Sequence, residues 1–296
     1  MTSPLHPLRH ALPLFLLAGF CLSSLDATAK WLVRDHALWV VVWARYAGQM
    51  IVVTPVAWQR RGPGFWQTRK LRLQLLRSLF LLLATLGFWG GLRYLPLAEA
   101  SSITFLAPTF VVLLSWPVLR ERATRARRIA STVGFIGILI LLRPGSAILQ
   151  PAVLLLIGAA LANALYQLLT RRLLDESPYT TLFYSASVGT LALTAGLPFT
   201  VDLEHLLAVG IGPLALLGCL AGLGHYAMTH AYLAAPASLL TPFTYLQIVW
   251  ATAFGYVLFG QHPDALSGLG MAVVVASGVV LVAWERRGMR PYRAAR

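Results

Sequence analysis

Ten apolar stretches, each followed within a few residues by the next, leave this chain no room for a soluble core. They fall at about 11–33, 37–58, 73–93, 96–119, 129–143, 151–173, 179–199, 211–233, 236–259 and 264–284. A run of about 20 apolar residues crosses the hydrocarbon core of a bilayer as a helix. In lipid the helix is also the form in which such a segment satisfies its own backbone. The cations lie between the spans in a pattern. Arg60/Arg61/Arg69/Lys70/Arg72/Arg77 follow the second span, Arg120/Arg122/Arg125/Arg127/Arg128 the fourth, Arg171/Arg172 the sixth and Arg286/Arg287/Arg290/Arg293/Arg296 the tenth. With Arg9 they leave only Lys30, Arg34, Arg45, Arg93 and Arg143 elsewhere. Spans that alternate in direction put all the clusters on the side of the N-terminus, which the positive-inside bias makes cytoplasmic.

Composition agrees. Of the 296 residues 58% are apolar and 11% charged, too little polar surface to cover a water-soluble protein of this size. The net charge of +14 does not point to nucleic acid, because the basic clusters alternate with apolar spans and form no sustained face. Cys21 and Cys219 sit within apolar stretches and belong to no metal or disulfide pattern, so both are expected to act as small buried apolar residues. The opening MTSPLHPLRH is read as leading into a retained first span and not into a cleaved signal, since the apolar run carries Asp26 and Lys30 and continues to Val33.

The halves repeat. Residues 94–143 align with 234–283 at a constant offset of 140, matching Pro96 with Pro236, Thr104 with Thr244, Leu106 with Leu246 and Glu121 with Gln261. Each unit holds five spans, an odd number, so the second must enter the bilayer in the opposite sense. Inverted repeats of this kind are an architecture of secondary transporters, with the substrate near the midplane between them. The expected fold is therefore an all-α integral membrane bundle of ten transmembrane helices in two inverted five-helix repeats, with both termini inside.

The segment YLPLAEASSITFLAPTFVVLLSWPVLRERATRARRIASTVGFIGILILLRPG, with its mid-span proline, charged turn and Gly-containing last helix, resembles the end of an EamA domain of the drug/metabolite transporter superfamily. The early Asp26…Lys30…Arg45 pattern resembles the first two helices of such domains. The resemblance covers nearly the whole chain as two tandem units, residues 11–145 and 151–286. It implies a multi-pass inner-membrane carrier of small molecules, a group that includes carriers of amino acids, nucleobase-type metabolites, vitamins and drugs. Gln261 departs from the pattern where the first unit has Glu121.

Chemistry then rests on polar groups inside the spans, where a charge at the bilayer centre costs roughly 2.5–3.5 kcal/mol on insertion scales. Asp26 and Arg45 lie at similar depth, about 10–12 Å below the outer surface at 1.5 Å per residue. They are expected to pair, either as a lock between two helices or as a clamp for a substrate's amine and carboxylate. Lys30, one turn from Asp26, joins them as a gating or proton-coupling candidate. Glu99 near the outer end of the fourth span is either a rim carboxylate paired with Arg93 or a proton-binding group. In the second unit Asn163 and Gln247 fall near the midplane, with Tyr166, Tyr245 and His225 as further substrate-binding candidates. His225 is also a proton-carrying candidate, because imidazole titrates near neutral pH. Trp31, Trp39, Trp43, Trp58, Trp66 and Trp284 are expected in the interfacial belts, whereas Trp89, Tyr94, Tyr245 and Trp250 can line a pocket for flat substrates. Pro108 and Pro242, with Gly222 and Gly224, are expected to interrupt spans four, eight and nine as hinges.

These features point to a secondary transporter for a small polar metabolite, with an amino acid or related zwitterion as the best-fitting cargo and an aromatic one favoured by the pocket candidates. A carrier of a vitamin or nucleoside derivative, of riboflavin or S-adenosylmethionine type, is the alternative. An integral-membrane enzyme or a channel fits less well. No cofactor or metal is expected, the remaining partner is membrane lipid, and the expected working unit is a monomer.

Overall fold

A computed structural model describes residues 6–121, 124–142, 151–200, 210–235 and 240–288. Arg122, Arg143, Pro236, Arg290, Arg293 and Arg296 lie outside the described residues. Within them the chain forms α1 (His6–Asp35), α2 (Leu38–Arg61), α3 (Leu71–Gly91), α4 (Leu97–Thr104), α5 (Ala107–Leu119), α6 (Arg125–Leu142), α7 (Pro151–Arg171), α8 (Pro178–Thr200), α9 (Ile211–Ala234), α10 (Leu246–Phe259) and α11 (Ala265–Gly288), with no strand among the described residues. Each expected span has its helix. Seven are long and apolar enough to cross a bilayer on length and composition, and Phe243–Phe259 and Ala265–Leu281 are shorter apolar helices. The remaining one, α6, begins inside the basic run at Arg125, as its sequence foreshadowed.

Two spans are broken, at equivalent places. The fourth splits between α4 and α5 at Phe105–Leu106, and Pro108 occupies the first turn of α5. There a missing backbone N–H costs nothing, since the opening N–H groups of a helix have no intrahelical acceptor. The ninth, within its described residues, passes through a tight 3-10 turn, Thr241–Tyr245, with Pro242 at its start, before α10 begins. Phe105 and Tyr245, 140 positions apart, stack on each other with centroids 5.2 Å apart at 23°. The span ends match as well. Arg120 closes α5 in the left-handed conformation at φ 57°, ψ 27° and Gly260 closes α10 at φ 60°, ψ 25°. Their amides point to Ser115 and Trp116 and to Gly255 and Tyr256, again 140 apart.

The packing carries the same symmetry. α1 lies along α9 and α3 along α7, partnerships that interchange when the units are swapped. α2 with α8, α4 with α10 and α6 with α11 map onto themselves. The relation is an inversion. Glu121, after α5, pairs with Arg171 at 2.8 Å, whereas its repeat mate Gln261 accepts a hydrogen bond from the Leu97 amide at 3.0 Å at the other end of the bundle.

Contacts define those two ends. At one, Lys70 pairs with Asp175 at 2.6 Å, Arg61 donates to Thr180 at 2.7 Å, Tyr184 donates to the Trp66 carbonyl at 2.8 Å and Arg172 donates to the Val118 carbonyl. The clusters around 60–72, 120 and 171 thus share one face, as the charge pattern requires. At the opposite end Arg93 donates to the carbonyls of Val33 and His36 at 2.7 and 2.8 Å, and Trp39 to that of Leu193 at 2.8 Å.

One expected break is absent. The eighth span is the continuous helix α9, and its glycines serve close approach. A Cβ on Gly222 would strike Val52, one on Gly224 would strike Leu22, and Gly218 meets Gly48 backbone to backbone. Small residues let membrane helices pack on dispersion contacts where water supplies no driving force. Cys21 is buried as expected, but Cys219 is exposed on α9. Outward faces are apolar, with Ile51, Leu113, Val257 and Phe199 all largely exposed, which is what lipid as solvent permits.

Candidate functional site

The polar side chains that the sequence singled out converge between the repeats, though not in the expected pairs. Asp26 on α1 accepts a hydrogen bond at 2.9 Å from the indole N–H of Trp89 on α3. Gln247, on the first turn of α10, and Arg45 both lie close enough to act on that carboxyl electrostatically. The expected Asp26–Arg45 ion pair does not form. The Arg45 guanidinium instead approaches His225 Nε2 at 3.3 Å through Nη2, and packs over the Tyr46 and Trp89 rings at 4.4 and 5.8 Å. Arg45 is only 6% exposed, and its Nη1 has no hydrogen-bond partner among the described residues. Gln49, one turn on, is fully buried with neither amide atom partnered, and Ser23 Oγ on α1 is likewise buried without a partner. Asp26 and His225 are both half-buried. Each buried polar atom left without a partner costs about 1–3 kcal/mol, so a ligand that reached Arg45, Gln49 or Ser23 would be held by them.

A second cluster lies toward the basic end. Arg77 was grouped with the cytoplasmic cations on sequence, but it is 3% exposed inside the bundle. Its Nε donates to Thr170 at 2.7 Å, Nη1 to Ser185 at 2.7 Å and to the Thr181 carbonyl at 3.3 Å, and Nη2 to Tyr166 at 2.9 Å. The guanidinium also lies 4.4 Å over the Tyr166 ring. Neighbouring Gln74 is fully buried and donates to Thr181 at 3.3 Å. Arg77, like Arg45, is close enough to His225 to act on it electrostatically. Arg77, Thr170, Ser185 and Gln49 were missed as candidates. A signal was present: Gln74, Arg77, Ser78 and Thr85 form a polar stripe at helical spacing on an otherwise apolar span.

Other candidates are placed as follows. Asn163 lies one turn before Tyr166 on α7 and is half-buried. Tyr245 stacks on Phe105 and lies across Gly278 of α11, where even a Cβ would overlap its ring. Trp250 packs edge-on against Phe20, with centroids 5.3 Å apart. Trp89 is buried in the cluster, whereas Tyr94 is 70% exposed and lines no pocket wall. Trp31, Trp58, Trp66 and Trp284 are exposed as belt residues should be, but Trp39 and Trp43 tie α2 to α8 by hydrogen bonds to Leu193 and Thr194. Lys30 does not face Asp26. Its ammonium donates to the carbonyls of Leu92 and Leu95 at 2.7 and 2.6 Å, closing the C-terminus of α3. A cation is favoured there by the helix dipole and the unsatisfied carbonyls. Glu99 does not pair with Arg93 but accepts from Ser267 at 3.2 Å, joining α4 to α11.

An all-helical bundle of two matched five-span units with charged groups gathered between them defines a membrane carrier. The family model described as the EamA-like transporter family matches twice, over residues 10–143 and 150–284, and the chain belongs to that family. It is accordingly a multi-pass transporter of the inner membrane with a small-molecule substrate. It is similar to the S-adenosylmethionine uptake transporter of Rickettsia prowazekii, 26% identical over 280 residues and 93% of each chain. It is also similar to the riboflavin transporter of Vibrio cholerae, 28% identical over 298 residues and 97% of each chain. A crystal structure superposes with a TM-score of 0.59 at 18% identity, covering 95% of this chain and 99% of the other, a likeness of fold.

Proposed function

We propose that this transporter carries a metabolite bearing an amino-acid head group, by alternating access between its inverted repeats. The observation that carries the reading is the Arg45 guanidinium, buried with Nη1 unpartnered, beside the one carboxyl that the cluster holds. Arg45 receives the substrate carboxylate through its planar fork, a geometry that guanidinium matches better than an ammonium does. Asp26 receives the ammonium. The half-buried Phe105–Tyr245 stack offers flat apolar surface for the remainder of the molecule. S-adenosylmethionine combines such a head with a flat base, and aromatic amino acids combine it with a ring. Relatives named for S-adenosylmethionine uptake align over 93% of this chain, which favours the former.

The second reading is a riboflavin-type cargo, supported by the aromatic stack and by the Vibrio cholerae relative. It leaves the Arg45 and Asp26 charges without a counterpart, because the flavin side chain carries neither carboxylate nor amine. Uptake into proteoliposomes, with labelled S-adenosylmethionine, tryptophan and riboflavin offered in parallel, separates the two. The expected result is saturable uptake of a compound with the amino-acid head, reduced about 10- to 100-fold by Arg45→Gln, the range for a lost hydrogen bond to a charged group. Uptake of riboflavin alone, indifferent to that substitution, overturns the reading.

A further inference from the structure

A cavity outside the site between the repeats needs its own explanation. Near the basic end a crevice of about 210 Å³ opens between α5, α6 and α7. Its inner wall is apolar, made of Val111, Val112, Leu119 and Leu168. Its polar edge holds Arg127 and Arg171, with Ser115, Gln167 and Glu121. Arg125 and Arg128 line the adjacent groove on the first turn of α6. The surface around the crevice is apolar and exposed, with Leu113 on α5 and Ile129 and Val133 on α6. In a membrane carrier that surface faces hydrocarbon, so the crevice is entered from the bilayer and not from water. Its depth is fixed by the arginines, which belong at the headgroup level of the inner leaflet.

We infer that this crevice binds an anionic phospholipid, the phosphate meeting Arg127 and Arg171 and an acyl chain lying against the apolar wall of α5. Charge selects the lipid. Basic recesses between helices on the cytoplasmic side are where acidic headgroups are held, and two guanidinium groups and one carboxylate line this one. The lipid also meets a contact between the repeats. Arg171 at the end of α7 pairs with Glu121, which follows α5, at 2.8 Å. A phosphate at Arg171 competes with that carboxylate, so the occupied crevice weakens a link that closes the basic face.

The test uses the purified full-length chain, delipidated in a neutral detergent. Phosphatidylglycerol, phosphatidylcholine with the same acyl chains, and soluble glycerol phosphate are added in turn. Bound lipid is counted by native mass spectrometry and unfolding is followed by a thermal scan. Phosphatidylglycerol is expected to be retained and to raise the unfolding temperature, with phosphatidylcholine and glycerol phosphate without effect. Arg127→Gln should weaken retention about fivefold, the contribution of one cation at an anionic surface. Glu121→Gln should strengthen it by freeing Arg171, a gain that a misfolded variant cannot mimic. Arg69→Gln, an equal loss of charge in the loop before α3, should change nothing. Equal retention of both lipids, or an Arg69→Gln effect as large as that of Arg127→Gln, overturns the proposal. So does a full effect of glycerol phosphate alone.

Discussion

The two repeats share a backbone and divide the chemistry. Arg120 and Gly260 end their spans with the same left-handed cap, and Phe105 and Tyr245 meet where the broken spans cross. At the same offset Asp26 and Arg45 of the first unit correspond to Tyr166 and Ser185 of the second. The charged groups of the interior, Asp26, Arg45 and Arg77, therefore come from the first unit. The second unit supplies neutral partners for the cations: His225 for Arg45, and Thr170, Ser185 and Tyr166 for Arg77. Duplication provided a scaffold that closes from either side, and divergence left one charged wall facing one hydrogen-bonding wall. Arg77, buried and satisfied across the repeat interface, also makes that interface specific, because a slipped register strands its charge in a place where it is costly.

The largest test of this division is at Asp26. Asp26→Asn keeps the shape and the Trp89 contact but removes the charge, so transport is expected to fall about 10- to 100-fold with insertion intact. Uptake normalised to the amount of protein in the membrane reads it. Transport at the wild-type rate would reduce Asp26 to a helix lock and break the charged-wall description. Next comes the cross-repeat anchor. Arg77→Gln strips hydrogen bonds from three hydroxyls of the second unit, and a loss of about 2–3 kcal/mol of stability is expected from denaturation in detergent. Arg69→Gln, exposed in the loop, should be near neutral by the same measurement.

The stacked pair gives a third test. Gly278→Ala places a methyl group in the Tyr245 ring, and overpacking of this kind costs about 1–3 kcal/mol. If the stack is also part of the route, the variant loses transport beyond its loss of stability. The Ile138 position, its mate in the first unit, should accept Ala by ordinary truncation. The smallest effect belongs to the basic end. Lys70 holds the Asp175 carboxyl below its ordinary value of 3.8, chiefly through their hydrogen bond. A carboxyl lowered in the fold stabilises it above the ordinary value, and the contribution disappears as pH falls through the lowered one. Asp175→Asn should therefore matter slightly at neutral pH and not at all in acid, as thermal scans across that window would read.

Much of this was legible in the chain. The ten spans, the face shared by the cations, the break at Pro108 and the turn at Pro242 followed from hydropathy and backbone chemistry. So did the presence of Asp26, Arg45, His225 and Gln247 within the bundle. Partnerships were not legible. Asp26 and Arg45, expected at a similar depth, point to different neighbours, Trp89 and His225. Lys30, one turn from Asp26, turns to the end of α3. Glu99 prefers Ser267 to the nearby Arg93. Arg77 was counted with the loop cations because it stands near the start of its span.

By itself the sequence determined the solvent, the number of crossings, their depth and the duplicated plan, since these depend on how apolar each segment is and how residues are spaced along one axis. Only the tertiary structure decided which way each helix turns about that axis and which helix lies beside it. That rotation sets whether Arg77 meets water or three hydroxyls, and whether Gly222 bends a helix or admits Val52. Hydropathy is a property of one segment, whereas a hydrogen bond across the repeats needs two segments brought together by packing.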